Sequence, residues 1–246
     1  MKKNIVLLHG WGFHSGVWEK DFTRHLETQS HLHYLDLPGF GKSPTPQRKL
    51  SLDHIVNYVL ENSPEKATYL GWSLGGLVSM KIAIDYPERI ERLITIASTP
   101  KFTATNDWPG MSLETLNKFS ISLEQDYTST INQFITLQFQ GSDTHRAKIR
   151  ALKQIVHNTK KPDKHILKDS LYILKETDLR DQIEEIQCPQ LNLLGRCDML
   201  VPAAMAEKLN TLSPNSEIRI IPKTSHAPFL SQAKTCADYI SKFLSS

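Results

Sequence analysis

Short apolar runs, each closed by a loop, recur along this chain and give way to helical spacing of apolar residues. Ile5–Leu8, Leu32–Leu37, Thr68–Leu70, Leu93–Ala97, Leu191–Leu194 and Glu217–Ile221 read as strands, most of them followed by an amphipathic helical pattern. Such alternation predicts a parallel sheet flanked by helices, an α/β fold whose reactive groups gather in loops beyond the carboxyl ends of the strands. Between about Pro100 and Cys188 the alternation stops. Leu113–Leu123, Ile131–Phe139, His145–His157 and Ile166–Leu174 carry helical spacing without a clear strand between them. Residues 101–187 are therefore predicted to form a helical cap inserted into a core built from 1–100 and 188–246. No internal repeat, low-complexity tract or flexible linker interrupts the chain.

Composition narrows the picture. At 246 residues the chain suits one large domain, or a core with an inserted subdomain. Its formal charge of +3 is modest and makes the whole molecule no obvious nucleic-acid binder. Cys188, Cys197 and Cys236 are odd in number, widely spaced and without a CxxC pair, which argues against a disulfide framework and against a zinc site. The opening MKKNIVLLHG has too short an apolar run for a signal peptide or a membrane span. A soluble, cytoplasmic, monomeric protein without membrane partners is the expectation.

The chemistry centres on Gly71-x-Ser73-x-Gly75. Three such positions match by chance in about one chain of this length in twelve, so context has to decide. Here Thr68–Leu70 reads as a buried strand before the motif, while Leu77, Val78, Ile82 and Ala83 fall at helical spacing after it. Ser73 thus sits on a sharp strand-to-helix turn. Glycines two positions to either side let strand and helix approach, and the new helix aims its positive end at the serine. A glycine-rich turn with a capping serine is the plainer alternative for this segment alone.

A serine nucleophile needs a base, and the base needs an orienting acid. Asp198 follows the strand LNLLG, and His226 follows EIRIIP, just ahead of Pro228, a candidate first residue of the last helix. The order Ser, Asp, His, each after a different strand, is that of an α/β-hydrolase. No other of the ten histidines combines a post-strand loop with a place after Asp198. Two backbone N–H donors complete such a site. Leu74, after the nucleophile, supplies one; Trp11, in the loop His9-Gly10-Trp11-Gly12 after the first strand, supplies the other. His9 and His14 lack a carboxylate or thiol at ligand spacing, so no metal is expected, nor any organic cofactor.

With these motifs in place the chain resembles α/β-hydrolases throughout. It is more closely similar to the carboxylesterases of biotin synthesis that demethylate pimeloyl-carrier-protein methyl ester. The resemblance rests on LLHGWGFHSGVW, LDLPGFGKS, LGWSLGGLV, IASTPKF with the following WPG, FITLQ, RALK and SHAPF. It implies a serine esterase whose acyl chain lies under the cap against Phe134, Ile135, Thr136, Leu137 and Gln138, with the ester held among Trp11, Ser73, Leu74 and His226. Read without it, Phe134, Ile135 and Leu137 are ordinary apolar helix residues. The resemblance also implies an acyl-carrier protein as partner, held by cap arginines that Arg146 and Arg150 match.

Two departures from that pattern stand out. The chain starts directly at the strand before HGWG, so the amino-terminal strand pair common among such proteins is expected to be missing. Ser129 and Gln133 stand where basic residues are expected, which points to a shifted docking surface. From Arg146 to Lys168 eight basic residues face one acid, Asp163, a local charge of +7. Arg146, Arg150 and Lys153 fall on one helical face, opposite Ala151, Leu152, Ile155 and Val156, and suit an acidic carrier. No nucleic-acid motif or aromatic series accompanies the charge. Other serine-dependent activities on this fold remain open, a general short-chain esterase or a thioesterase among them, as does a non-catalytic ligand-binding protein.

Overall fold

The computed structural model describes residues 2–142 and 146–245. Six strands, β1 (Lys3–Leu8), β2 (Ser30–Leu35), β3 (Ala67–Trp72), β4 (Ile90–Ile96), β5 (Gln190–Gly195) and β6 (Glu217–Ile221), form one sheet in the order β2-β1-β3-β4-β5-β6. Every neighbouring pair is parallel. The inner strands β3 and β5 are buried along their whole length, which is why they read as continuous apolar runs rather than alternating ones.

The connections follow from handedness. From β1 the chain steps outward to β2 through α1 (Lys20–Glu27), then crosses back past β1 to β3 through α2 (Leu52–Glu61). Every later step, beginning with α3 (Leu74–Asp85), runs toward β6. Right-handed crossovers taken in opposite directions place α1 on one face and α2 and α3 on the other. The point of reversal lies between β1 and β3, the place where open parallel sheets form a crevice beyond the carboxyl ends of their strands. Trp11 and Ser73 leave the sheet there.

Between β4 and β5 the described residues form four α-helices and no strand of the sheet: α4 (Leu113–Gln125), α5 (Tyr127–Leu137), α6 (Arg146–His157) and α7 (Lys164–Glu176). One predicted helix began at His145, which lies outside the described residues. Ser112 and Asp126 cap α4 and α5 with their side chains, accepting from the N–H groups of Thr115 and Ser129. On α6 Leu152 and Val156 are buried, whereas Ala151, expected on the same face, is exposed and Ile155 half-buried. The two ends of this insertion are stitched together: Leu179 N–H donates to Pro100 O at 3.0 Å, and Lys101 Nζ lies 2.7 Å from Asp178 Oδ2. Arg180 grips the Asp178 carboxylate with Nε and Nη2 at 2.9 and 2.8 Å, and its guanidinium lies over the Trp108 ring.

Arg180, and then Lys101, hold the Asp178 carboxyl well below its ordinary 3.8. A depressed carboxyl stabilises the fold at any pH above its unfolded value and loses that contribution as pH falls through the folded one. Asp178→Asn should therefore lower Tm by roughly 1–3 °C at pH 7. The gap to the parent should shrink as the pH drops below the ordinary carboxylate range. Thermal melts of both proteins at pH 7 and at acid pH check this; a constant gap would mean that the charge contributes nothing.

Several predicted boundaries move by a residue or two, and two of the shifts have a visible cause. The second strand ends at Leu35 rather than Leu37, because the next residues bond elsewhere. The Asp36 carboxylate accepts the N–H groups of Ser15 and Lys42, and Leu37 N–H donates to His9 Nε2. Helix α8 (Met205–Leu212) lies between β5 and β6; Pro228 then opens only a single turn, α9 (Pro228–Ser231), and the last helix is α10 (Ala233–Ser245). Gln232 breaks the run with a non-helical backbone (φ −130°, ψ 63°), its side chain donating to Pro222 O at 2.7 Å. No helix among the described residues is long and apolar enough to cross a membrane.

Candidate active site

Ser73 takes φ 53° and ψ −116°, a backbone conformation that L-residues rarely adopt and that costs of order 1–3 kcal/mol. Its surroundings over-determine it. Ser73 N–H donates to Ile96 O at 2.9 Å, and Ser73 O accepts from Ser98 Oγ at 2.8 Å and from Gly76 N–H at 2.9 Å. The glycines of the motif are a packing requirement. A Cβ on Gly71 would stand 2.2 Å from Gly75 O, and one on Gly75 would stand 2.2 Å from Leu8 O, both backbone atoms. Gly76 is required too, since a Cβ there would meet the Ser98 side chain at 2.4 Å.

The turn presents Ser73 Oγ to His226, whose Nε2 lies 2.9 Å away. On the other side of the ring Nδ1 lies 2.8 Å from Asp198 Oδ2. A carboxylate only accepts, so Nδ1 carries the ring proton and Nε2 is left to take the hydroxyl proton of Ser73. Asp198 is fixed in turn by the N–H groups of Leu200 and Val201, which donate to Oδ1 at 2.8 and 3.0 Å. All three side chains are buried. The close approach of the two loops needs Gly195, where a Cβ would lie 2.0 Å from Ser225 O. Trp72, next to the serine and fully buried, donates its indole N–H to His226 O at 2.7 Å, so the nucleophile's neighbour holds the base's backbone.

Leu74 is the first residue of α3, ahead of any intrahelical acceptor for its N–H. Trp11 lies across the crevice, and its indole N–H donates to Leu167 O on α7 at 3.2 Å. The loop that carries Trp11 is anchored from beneath by His9. The Nε2 of His9 accepts from Leu37 N–H and its Nδ1 donates to Gly10 O, both at 2.9 Å. Burial pushes this imidazole down to about 4, so it is neutral at physiological pH and acts as a fixed strut.

Above the triad lies a narrow cavity with about 50 Å³ accessible to the centre of a water-sized sphere. Trp11, Ser73 and His226 form its floor, and Phe134 and Leu137 of α5 form part of its wall. Phe102, Met111, Leu116, Phe119, Leu171, Leu174 and Leu200 supply most of the rest, and among the described residues no Lys, Arg, Asp or Glu side chain lines it. Of the five consecutive residues singled out at the end of α5 and its C-cap, the structure thus brings Phe134 and Leu137 to the cavity. Ile135 is buried away from it, Thr136 is exposed with its hydroxyl on Asn132 O, and Gln138 is buried with its amide N–H on Phe134 O. The walls from α4 and α7 were missed in the sequence because an apolar helix stripe looks the same whether it faces a core or a cavity. Trp72 and Ser98 carried only the signal of adjacency to Ser73 or to a strand end.

Arg146 and Arg150 are exposed and Lys153 half-exposed on the outer side of α6, and none forms an ion pair among the described residues. They do not reach the triad. An open groove between α5 and α6 carries Lys153, Ser129 and Gln133 on its rim, and Leu137 lines both this groove and the cavity beneath.

Residues 3–233 match the α/β-hydrolase fold family, and the chain belongs to it. Among curated relatives it is 40% identical to the pimeloyl-[acyl-carrier protein] methyl ester esterase of Pectobacterium atrosepticum, over 98% of this chain and 93% of that protein. It is 39% identical to the enzyme of the same name from Vibrio cholerae, over 98% and 94% of the two chains. Among solved structures, an esterase from Exiguobacterium antarcticum superposes with a TM-score of 0.89 at 22% identity, covering 99% of this chain and 92% of the other. A bromoperoxidase from Bacillus anthracis gives 0.88 at 25% identity, covering 100% and 93%.

Proposed function

We propose that the protein is a serine carboxylesterase that removes the methyl group from a pimeloyl chain carried by an acyl-carrier protein. The observation that carries this reading is the apolar cavity opening on Ser73. It suits a chain that ends in a neutral ester and offers no cation to a free carboxylate. The names of the relatives support the same substrate.

In this reading His226 Nε2 takes the proton of Ser73 as Oγ attacks the ester carbonyl. The N–H groups of Trp11 and Leu74 hold the oxyanion, and Asp198 stabilises the imidazolium. The imidazolium then protonates the departing methoxide, methanol leaves, and water deacylates Ser73 by the same proton route. All five residues belong to the core, and residues 101–187 act as its cap. Phe134 and Leu137 contact the acyl chain directly, with Ile135, Thr136 and Gln138 shaping the helix behind them. A cytoplasmic, monomeric enzyme is part of the proposal and accords with three unpaired cysteines.

The carrier docks on α6 through Arg146, Arg150 and Lys153, beside a groove that shares the lining residue Leu137 with the cavity over Ser73. Reversing Arg146 and Arg150 to Glu should lower kcat/KM for the carrier-bound ester about tenfold or more while leaving a small free ester within about twofold. Raising salt from 0.1 M to 1 M shortens the Debye length from about 10 Å to about 3 Å, so only the carrier substrate should slow. Steady-state kinetics on both substrates decide it. Equal losses would indicate damage to the cap, and no loss would return α6 to an ordinary solvated face.

A further inference from the structure

His14 has no part in the chemistry above, yet its ring joins the loop carrying Trp11 to helix α6. The segment turns tightly after Trp11, with Phe13 N–H donating to Gly10 O at 3.3 Å. His14 then caps a short turn, its Nδ1 accepting from Gly16 N–H at 3.1 Å. That bond leaves Nδ1 without a proton and puts the ring N–H on Nε2. Nε2 lies 3.1 Å from Ile155 O and 3.0 Å from Thr159 Oγ1. Ile155 O belongs to the last turn of α6, where helix carbonyls lack an intrahelical donor, and the Thr159 hydroxyl reaches the same oxygen at 3.2 Å. The ring therefore makes two separable bonds, one local and one across to the cap.

We propose that His14 is a positioning residue for ester hydrolysis: its bond to the end of α6 fixes the segment that aims the Trp11 N–H at the oxyanion. The inference rests on Trp11 being an oxyanion donor. The geometry supports it from both sides of the loop, since Trp11 itself is tied to α7 through its indole and His14 ties the following residues to α6. A donor held at only one of these points can drift from the place where charge develops, and such drift weakens the transition state more than the bound ester.

Two substitutions separate the two bonds. In His14→Asn the side-chain oxygen falls where Nδ1 stood and can still accept from Gly16, but nothing reaches α6. In His14→Gln the amide nitrogen falls where Nε2 stood and can still donate to Ile155 O, but the local bond is lost. Each variant is assayed with p-nitrophenyl butyrate and with a trifluoromethyl ketone inhibitor, whose hemiketal adduct with Ser73 Oγ mimics the tetrahedral oxyanion; thermal melts check the fold. His14→Asn should lower kcat about five- to tenfold with KM within about twofold, and should weaken the ketone by a similar factor. His14→Gln should stay within about threefold of the parent on both readouts. The opposite order, with Gln impaired and Asn not, would assign the effect to the local turn and overturn the proposal. So would equal losses in both variants, or parental activity in His14→Asn. Ser73→Ala is run alongside, and butyrate hydrolysis surviving in it would remove the catalytic reading on which the proposal rests.

Discussion

Replacing Ser73 with alanine should abolish ester hydrolysis, by about a thousandfold or more in kcat, without loss of fold. The hydroxyl is the attacking atom, and among the described residues it makes a single hydrogen bond, to His226 Nε2. What holds the elbow is backbone: Ser73 N–H on Ile96 O, and Ser73 O accepting from Ser98 Oγ and Gly76 N–H, all of which alanine keeps. The strained φ of 53° is also unchanged in kind, because serine and alanine both carry a Cβ. Burst and steady-state kinetics with a chromogenic ester, together with circular dichroism, provide the check. Activity within tenfold of the parent would remove Ser73 as nucleophile.

Asp198→Asn should cost on the order of 10²–10⁴ in kcat. Two backbone donors, Leu200 and Val201 N–H, face Oδ1, and a ring nitrogen faces Oδ2. An asparagine keeps its oxygen toward the two backbone donors and turns its amide NH₂ to His226 Nδ1. That nitrogen must then accept, so the ring proton moves to Nε2 and the base points an N–H at Ser73 instead of a lone pair. KM should change little, since the substrate does not touch Asp198. A loss of only a few fold would mean that His226 keeps its tautomer by other means.

The parts of this molecule that were legible in the sequence are those where one physical demand fixes the residue type. A parallel strand buried on both faces requires an apolar run, as in β3 and β5, and all six strands were legible in place, the edge strands β2 and β6 despite polar residues such as His31, His33, Glu217 and Arg219. The elbow requires glycine at 71 and 75 because backbone occupies the space of a Cβ, and the spacing announced the turn. Triad order followed from the strands that precede Asp198 and His226. Less legible was anything that depends on which way a helix face points. Consecutive helix residues differ by about 100° in direction, so the run from Phe134 to Gln138 cannot present all five side chains to one cavity. Phe134 and Leu137, three apart, share the wall, while Ile135 and Thr136 turn to the core and to solvent. Periodicity alone could not distinguish the stripe of α4 that faces the cavity from one that faces a neighbouring helix. Nor could it show that Trp72 serves His226 through a bond between residues 154 positions apart.

The central claim is that Ser73 demethylates a carrier-bound pimeloyl methyl ester, and the most direct measurement follows that substrate itself. Methyl pimeloyl-carrier protein is incubated with the enzyme, and the carrier's intact mass and the methanol released are read against time, beside free methyl esters of short acids. The expected result is conversion to the free ω-carboxyl with one methanol per carrier, the thioester to the prosthetic group left whole, and kcat/KM above that for the short free esters. A carrier that keeps its methyl group while the short esters are hydrolysed, or one that loses the whole acyl chain by thioester cleavage, would contradict it.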